Sequence, residues 1–279
     1  QSVEATLTSI RAALASGNYA GISPEAEVAC WGYAGGSSAT GWAALLEPTY
    51  APELKKNTVG YAYGGIIVSI ENTAKKNIGT IFAGLVFAAI NGLSAQYPEL
   101  DAYIKQQVYP SKYNLFRRAK NMCLVELFPA YLFNSWSTYI PIGGKVLEEP
   151  LVQNILHDND MIKSTLVPTA PLFFYNSKFD EILPAADADL LYNRLCSAGA
   201  TIDYRQDLIG GHGTQYVFGG GSAWTWIQDR MNGNPVSGCH KKTILSNILA
   251  PGGIPGFSSI VSGLIKAILG KPLGKYNIF

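Results

Sequence analysis

The chain has 279 residues, of which 48% are hydrophobic and 15% are charged, and its 21 basic and 20 acidic side chains nearly balance. This balance provides no strongly basic surface, so we expect no nucleic-acid partner. No uninterrupted apolar run of about 18 residues occurs, and the sequence therefore predicts no transmembrane segment. The low charge, together with 16 Tyr, 29 Gly and 15 Pro, favours a secreted protein with structured loops.

The first part of the chain alternates helical and strand patterns. Apolar residues at helical spacing predict a helix over 2–16, and a short apolar segment predicts a strand over 26–31. A stretch rich in small residues predicts a helix over about 35–46, and residues 58–63 predict a second strand. We assign residues 1–65 to the first part of an α/β core.

Residues 66–165 differ in character from the residues before them. Long, apolar helical patterns occur over 80–93 and 98–108, and no convincing strand pattern accompanies them. Because strand patterns lie on both sides of this stretch, we interpret it as a helical insertion into the core.

The remaining residues, 166–279, return to the core pattern. The predicted elements are strands over 170–175 and 201–205, a helix over 186–195 between them, and a helix that follows two tryptophans and ends at Met231. A strand, helix and second strand of these lengths imply a parallel crossover connection. The last apolar segment, over 256–274, predicts a helix that docks on the core, with a flap over a binding site as the alternative.

One five-residue stretch after the first strand carries a chemical signal. It reads Gly-Tyr-Ala-Gly-Gly from Gly32 to Gly36 and has the outline of the G-x-S-x-G nucleophile elbow of α/β-hydrolases. Such an elbow needs small residues so that the turn can close, and Gly32 and Gly36 meet that requirement. The nucleophile's place, however, is held by Ala34, and the five residues alone do not distinguish an elbow from a glycine-rich turn.

An acid and a histidine follow in the order that this kind of site requires. Asp180 comes just after a predicted strand, and His212 lies in a predicted glycine-rich loop after the next strand. In this arrangement the imidazole takes the proton of the nucleophile, and the carboxylate holds its tautomer and stabilises the imidazolium. Glu181 is an alternative acid, and each of these residues is also a common loop or turn residue.

The remaining histidines and the cysteines give no metal signal. His157 and His240 lack a strand–loop context and are interpreted as surface residues, and no Cys-x-x-Cys spacing supports a zinc site. We therefore predict neither a metal nor a cofactor.

The chain has four cysteines: Cys30, Cys123, Cys196 and Cys239. Cys30 in the apolar strand is most simply a buried thiol, which leaves an odd number for pairing within the chain.

Three stretches carry a resemblance to a known family, the fungal secretory lipases of the lipase A type. They read CWGYAGGSSATGWAALLEPTYAPELKKN, FDEILP and GGHGT. The spacings of 146 residues from position 34 to 180 and of 32 from 180 to 212 are also similar to those of the family, and the resemblance extends over essentially the whole chain. It implies an α/β-hydrolase fold, with a mostly parallel sheet, helices on both faces and an inserted helical cap.

The resemblance also implies roles for individual residues. Ala34 occupies the nucleophile position, Asp180 and His212 complete the triad, and the Gly35 N–H donates to the oxyanion. Residues 66–165 form a lid over an acyl-binding tunnel. The residues expected to contact substrate are Tyr33, Phe82, Phe87, Phe128 and Phe133, although core packing is the alternative for most of the phenylalanines.

The same resemblance implies disulfide partners for some of the cysteines. The family has a disulfide like Cys196–Cys239, whose closed loop contains His212 and restrains it. A second bridge of the family joins the cap to the N-terminal region, which makes Cys123 a candidate for a covalent link to another chain.

Two departures from the family pattern affect the expected activity. Without a hydroxyl at Ala34 no acyl-enzyme forms, and Ser37 and Ser38 lie in the first turns of the following helix rather than at the apex of the elbow. The alanine is either an engineered change, which the retained site favours, or the mark of a natural pseudoenzyme.

The second departure is that a single predicted helix precedes the elbow strand, whereas a hydrolase sheet has several strands there. An apolar central strand with an open edge is unfavourable in water. We therefore predict a separate N-terminal chain of the same precursor that completes the sheet and the oxyanion hole.

The sequence thus predicts a secreted serine esterase or lipase that acts on a hydrophobic carboxylic ester and is inactive because of Ala34. The alternatives are an acyltransferase of secondary metabolism on the same fold, and a non-catalytic protein that binds a hydrophobic ligand.

Overall fold

The computed structural model describes residues 2–271, and the chain divides into two compact units. The core unit contains the described residues up to Ile67 and from Thr165 onward, and the helical unit contains Val68–Ser164. The helical unit begins and ends within two residues of the insertion predicted over 66–165. Among the described residues, no helix combines the length and the apolar character needed to cross a membrane.

The core unit is built on a parallel sheet of five strands within residues 2–271, in the order β1-β2-β3-β4-β5. The strands are β1 Val28–Tyr33, β2 Thr58–Gly64, β3 Leu172–Ser177, β4 Ile202–Asp207 and β5 Cys239–Ile244. The order places β1 at one edge, where its neighbour in the described chain is β2. The predicted parallel sheet is therefore confirmed.

Helices cover both faces of this sheet. The helices of the core unit are α1 Ser2–Ala15, α2 Gly17–Ala20, α3 Gly35–Tyr50, α10 Ala185–Ser197, α11 His212–Met231 and α12 Gly253–Ile268, with short 3₁₀ turns at Pro52–Lys56 and Asn247–Leu249. On one face, Trp226 of α11 stacks on Phe173 at 5.6 Å between ring centroids. On the other face, the Tyr61 hydroxyl donates to Glu47 of α3 at 2.5 Å. Because both faces are covered, β2 and β3 are buried along almost their whole length, without an alternation of buried and exposed residues.

Two elements differ from their predictions. The strand β5 was not predicted, because Cys-His-Lys-Lys-Thr-Ile is mostly exposed and polar, as is usual for an edge strand. The helix α11 begins at His212 and not after the two tryptophans, so the predicted glycine-rich loop is in fact a helix start. Within this helix Gly219 allows close packing, since a Cβ there would lie 2.3 Å from a ring carbon of Tyr175.

The last described helix, α12, docks on α11 through glycine contacts. A Cβ on Gly221 would lie 2.2 Å from the carbonyl oxygen of Gly253, and one on Gly256 would lie 2.0 Å from that of Gly221. Most of the apolar segment predicted over 256–274 is therefore a docked helix. The end of that segment, and with it part of the predicted flap, lies outside the described residues.

The helical unit has its own aromatic core. Its helices are α4 Ile70–Asn77, α5 Ala83–Gln96, α6 Pro98–Gln107, α7 Tyr113–Arg118, α8 Leu124–Ala130 and α9 Pro150–Asp158, with 3₁₀ turns at Pro110–Lys112, Ala119–Asn121, Trp136–Thr138 and Gly143–Glu148. Phe87 has no exposed surface, and its ring contacts four other aromatic rings at 4.8 to 6.1 Å. Phe87 therefore has a packing role in this unit, and its predicted contact with substrate stays a prediction.

Candidate active site

The stretch that resembles an elbow forms a strained turn between β1 and α3. Ala34 has φ 50° and ψ −116°, and Phe133 is the other non-glycine residue with positive φ in the described chain. An L-residue held in this region costs about 1–3 kcal/mol and persists only where the surrounding structure imposes it. The Ala34 N–H donates to the carbonyl oxygen of Gly64 at 3.1 Å, which ties the turn to the end of β2. A strained strand-to-helix turn is the geometry of a nucleophile elbow.

The two small residues of the elbow are not equivalent. A Cβ on Gly32 would lie 2.2 Å from the carbonyl oxygen of Gly36 and 2.4 Å from Oγ1 of Thr40, so that position requires glycine. Apart from its two chain neighbours and the nearby backbone of α3, no described atom lies within 4 Å of a Cβ built on Gly36. The prediction that both glycines are needed to close the turn thus holds for Gly32, while contacts within the described chain do not require Gly36 to be glycine.

Asp180 and His212 form a buried pair. Nδ1 of His212 lies 2.8 Å from Oδ2 of Asp180, and 9% and 5% of their respective surfaces are exposed. The other carboxylate oxygen, Oδ1, accepts the backbone N–H groups of Ile182 at 2.9 Å and Leu183 at 2.7 Å. These two donors fix the carboxylate so that Oδ2 faces the ring, and the contact with Nδ1 leaves Nε2 as the nitrogen for proton transfer.

The alternative acid, Glu181, has a different contact. Its Oε2 accepts the backbone N–H of His212 at 2.6 Å, and the Asp180 carboxylate contacts the ring. Of the two adjacent carboxylates, Asp180 is therefore the one placed to orient the imidazole.

Tyr33 contacts the same histidine from the elbow. Its hydroxyl donates to the carbonyl oxygen of His212 at 2.6 Å, and its ring lies 5.1 Å from the imidazole. Burial raises the pKa of the Tyr33 hydroxyl, so it stays a neutral donor. The observed contact of Tyr33 is with the backbone of His212, and the substrate contact that the sequence predicted for Tyr33 stays a prediction.

Gly65 lets the histidine approach the elbow. It has φ +50°, and a Cβ there would lie 2.7 Å from Cζ of Tyr33 and 2.9 Å from Cε1 of His212. The imidazole therefore lies against the end of β2, next to the residue whose carbonyl binds Ala34. Gly65 was not among the predicted site residues, although the pair Gly64-Gly65 that follows the strand predicted over 58–63 was an available signal.

The two serines after the elbow lie in the helix α3 and not at the turn itself. Ser37 has no exposed surface, and its hydroxyl lies 2.6 Å from the carbonyl oxygen of Ala34 and accepts the N–H of Ile67 at 3.1 Å. Ser38 lies one residue further into α3. Gly35 is the first residue of α3, and the first N–H groups of a helix have no acceptor within that helix. Its N–H is thus at the chain position predicted for an oxyanion donor.

The other predicted aromatic residues belong to the helical unit. Phe82 and Phe128 form an edge-to-face pair at 5.7 Å and are partly exposed, and Phe133 is 63% exposed. Exposed apolar surface of this kind is available to a ligand, so the predicted substrate contact of these three residues stays a prediction.

The cysteines divide into a bridge and two thiols. Cys196 at the end of α10 and Cys239 at the start of β5 form the predicted disulfide, which closes a loop containing His212. Cys30 is partly buried, and burial raises the pKa of its thiol to about 12. Cys123 is an exposed free thiol in the described structure.

His157 and His240 are exposed, and the described residues contain no group of three or more His, Cys, Asp or Glu side chains suited to a metal.

Comparison with known proteins agrees with this geometry. A model of the secretory lipase family matches residues 1–238. Lipase 1 and Lipase 2 of Candida albicans are 36% and 38% identical to this chain over 282 residues, which is 98% of this chain and 60% of each relative. The chain thus spans about 60% of the length of the curated relatives it matches.

Solved structures show the same relationship. Lipase A of Candida antarctica, in an X-ray structure of its closed state, is similar with a TM-score of 0.80 and 27% identity, over 91% of this chain and 60% of that chain. The esterase LipA of Xanthomonas oryzae shares the fold at 15% identity, with a TM-score of 0.60 over 77% of this chain and 58% of that chain. This chain has an α/β-hydrolase fold and belongs to the secretory lipase family.

Proposed function

We propose that the protein is a secreted esterase or lipase that cleaves carboxylic esters through a Ser-Asp-His acyl-enzyme mechanism, and that Ala34 makes this form of it inactive. The observation that carries the proposal is the Asp180–His212 pair at 2.8 Å, whose imidazole lies beside the strained elbow. Membership of the secretory lipase family and the Cys196–Cys239 disulfide support both the chemistry and the secreted location.

Each residue then has a defined step. A serine at position 34 would give its proton to Nε2 of His212 as its oxygen attacks the ester carbonyl, and Asp180 would stabilise the imidazolium. The Gly35 N–H would donate to the oxyanion that forms. The imidazolium would return its proton to the leaving alcohol, and water would release the acid by the same steps in reverse.

Ala34 removes the attacking atom while the rest of the site is retained. Loss of the triad serine costs a factor of about 10⁶ in turnover. Because the strained backbone at position 34 and the Asp180–His212 pair both persist, an engineered Ser→Ala change is favoured over a natural loss of function.

The decisive experiment restores the hydroxyl with Ala34→Ser in the assembled protein. We expect hydrolysis of short or long acyl esters to rise by about 10⁶-fold, together with labelling by a fluorophosphonate. The control is the double variant Ala34→Ser, His212→Ala, which should not be labelled. If the restored serine gives neither turnover nor labelling, the esterase proposal fails, and binding of a hydrophobic ligand becomes the better account. Product analysis with an added alcohol separates hydrolysis from acyl transfer.

A second part of the proposal concerns the rest of the sheet. An N-terminal chain of the same precursor pairs with the outer edge of β1 and supplies the second oxyanion donor. Support comes from the edge position of β1, from Trp31 on that strand, which is 40% exposed, and from relatives of which this chain spans about 60%. The covalent link would run through Cys123, the exposed free thiol.

Electrophoresis tests this link. Without reductant we expect a larger band that collapses on reduction, and Cys123→Ser should abolish it while Cys30→Ser leaves it intact. An unchanged pattern in Cys123→Ser would refute the covalent link.

The substrate is assigned from the apolar surface of the helical unit. This unit acts as the lid, and the partly exposed rings of Phe82 and Phe128 and the exposed ring of Phe133 contact the acyl chain. A hydrophobic ester is therefore the expected substrate class.

A further inference from the structure

The helix that carries the base lacks a cap of its own. His212 is the first residue of α11, and the residue before it, Gly211, has no side chain that could accept a first-turn N–H. Glu181 supplies the missing acceptor from the neighbouring loop, because its Oε2 accepts the His212 N–H at 2.6 Å. A negative carboxylate at this end of α11 also complements the helix dipole.

Gly211 and Glu181 fit together sterically. A Cβ on Gly211 would lie 2.0 Å from Oε2 and 2.8 Å from Cδ of Glu181, so the carboxylate occupies the space that a side chain at 211 would need. The N–H of Gly211 is satisfied separately by the hydroxyl of Thr214 at 2.9 Å. The glycine is thus a condition for the contact between Glu181 and the base.

Three side chains hold His212 at three different atoms. Asp180 contacts the ring at Nδ1, Glu181 accepts from the backbone N–H, and Tyr33 donates to the backbone carbonyl oxygen. The two contacts to the backbone fix where the side chain starts, and the contact at Nδ1 fixes where the ring points. If the backbone of His212 moved, the imidazole would move with it. The contact between Nδ1 and Asp180 would then lengthen.

We propose that Glu181 is a positioning residue whose carboxylate replaces the missing cap of α11 and holds the His212 imidazole against Asp180. Its catalytic meaning rests on the proposed esterase function, whereas the contact itself can be tested without turnover. Of these two adjacent acids, Asp180 contacts the ring of His212 and Glu181 contacts its backbone.

The test uses the protein with Ala34 in place and follows solvent exchange of the His212 Nδ1–H by NMR after ¹⁵N-histidine labelling. The chain has only three histidines, and the two exposed ones serve as references. In Glu181→Met, which keeps the shape but removes the acceptor, we expect exchange to be about 10-fold faster. In Glu181→Gln, which keeps an acceptor oxygen, exchange should stay within about 3-fold of the parent.

A matched control exists in the helical unit. Glu126 accepts the backbone N–H of Cys123 at 2.8 Å at the start of α8, so Glu126→Met removes the same kind of contact without touching His212. Gly211→Ala should reproduce Glu181→Met, because the new methyl group displaces the carboxylate. The proposal is overturned if Glu181→Met exchanges like the parent, if Gln and Met are equally fast, or if Glu126→Met has the same effect.

With Ala34→Ser added, Glu181→Met should lower kcat about 10-fold and leave KM unchanged, because the base and not substrate binding is affected. A loss confined to KM would contradict the positioning role. Failure of Ala34→Ser itself would overturn the esterase function and leave the exchange result standing.

Discussion

The core unit and the helical unit use their buried side chains differently. In the core unit, residues 34, 180 and 212 are far apart in sequence, yet they follow β1, β3 and β4, whose carboxyl ends lie along one edge of the parallel sheet. In the helical unit, the aromatic rings around Phe87 contact one another and form a core. Polar residues after parallel strands are thus brought together at one edge of the core sheet, whereas the ring of Phe87 is used to pack the helical unit.

The largest effect should come from the acid of the core unit. With serine restored at position 34, we expect Asp180→Asn to lower kcat by about 10⁴-fold, because the amide no longer holds the correct tautomer of His212. The matched control is Asp158→Asn, since Asp158 lies 3.7 Å from His157 in an exposed pair of the helical unit. Ester hydrolysis should be unchanged in the control. If Asp158→Asn lowered kcat as much as Asp180→Asn, the loss could not be attributed to the contact between Asp180 and His212.

The core of the helical unit should respond in stability. Phe87→Ala is expected to lower the free energy of unfolding by about 4 kcal/mol, because it leaves a cavity among packed rings. Phe133→Ala should cost less than about 1 kcal/mol, since that side chain is 63% exposed. Denaturant unfolding measures both, and a loss for Phe87→Ala as small as that for Phe133→Ala would contradict the packing role of Phe87.

A buried carboxylate of the core unit should make stability depend on pH. Burial raises the pKa of Asp207 to about 6, despite hydrogen bonds from the backbone of Asn247 at 2.7 Å and from Ser246 at 3.3 Å. The folded state binds this proton more tightly than the unfolded state. The stabilisation is therefore complete below the unfolded pKa of about 4 and is lost as the pH rises through about 6.

The measurement is the free energy of unfolding at pH 4 and pH 7. The parent should lose about 2 kcal/mol more than Asp207→Asn over this interval, because the amide does not titrate. Asp158→Asn, at an exposed position, should keep the pH dependence of the parent. If the free energy of unfolding of the parent, relative to Asp207→Asn, increased from pH 4 to pH 7, the pKa of Asp207 would not be raised in the folded state.

The smallest effect concerns strain at the elbow. Ala34→Gly should raise the free energy of unfolding by about 1 kcal/mol, because glycine adopts φ 50° without the clash of a Cβ. Ala29→Gly, in β1 where φ is not positive, should lower it, since glycine only adds freedom to the unfolded chain there. If both variants are destabilised alike, position 34 is not strained.

Residue types and their order were sufficient to predict the acid and the base. Asp180 and His212 each follow a strand that sequence patterns identify, and only the order of nucleophile, acid and base was needed to connect them. The contacts of Tyr33 and Glu181 could not be predicted, because both contact the backbone of His212, and a backbone atom leaves no residue-type signal. The strand β5 escaped prediction because an edge strand exposed to solvent needs no apolar pattern.

The sequence by itself predicted the parallel sheet, a helical stretch between its strands and the side chains proposed as acid and base, because these depend on hydrophobic periodicity and on chemically distinct side chains at strand ends. Only the tertiary structure decided which of two adjacent carboxylates contacts the imidazole and which caps its helix. It also decided that Phe87 is core, while Phe82, Phe128 and Phe133 keep exposed surface. The physical reason is that burial and hydrogen-bond partners depend on neighbours brought together by folding, and local sequence does not specify those neighbours.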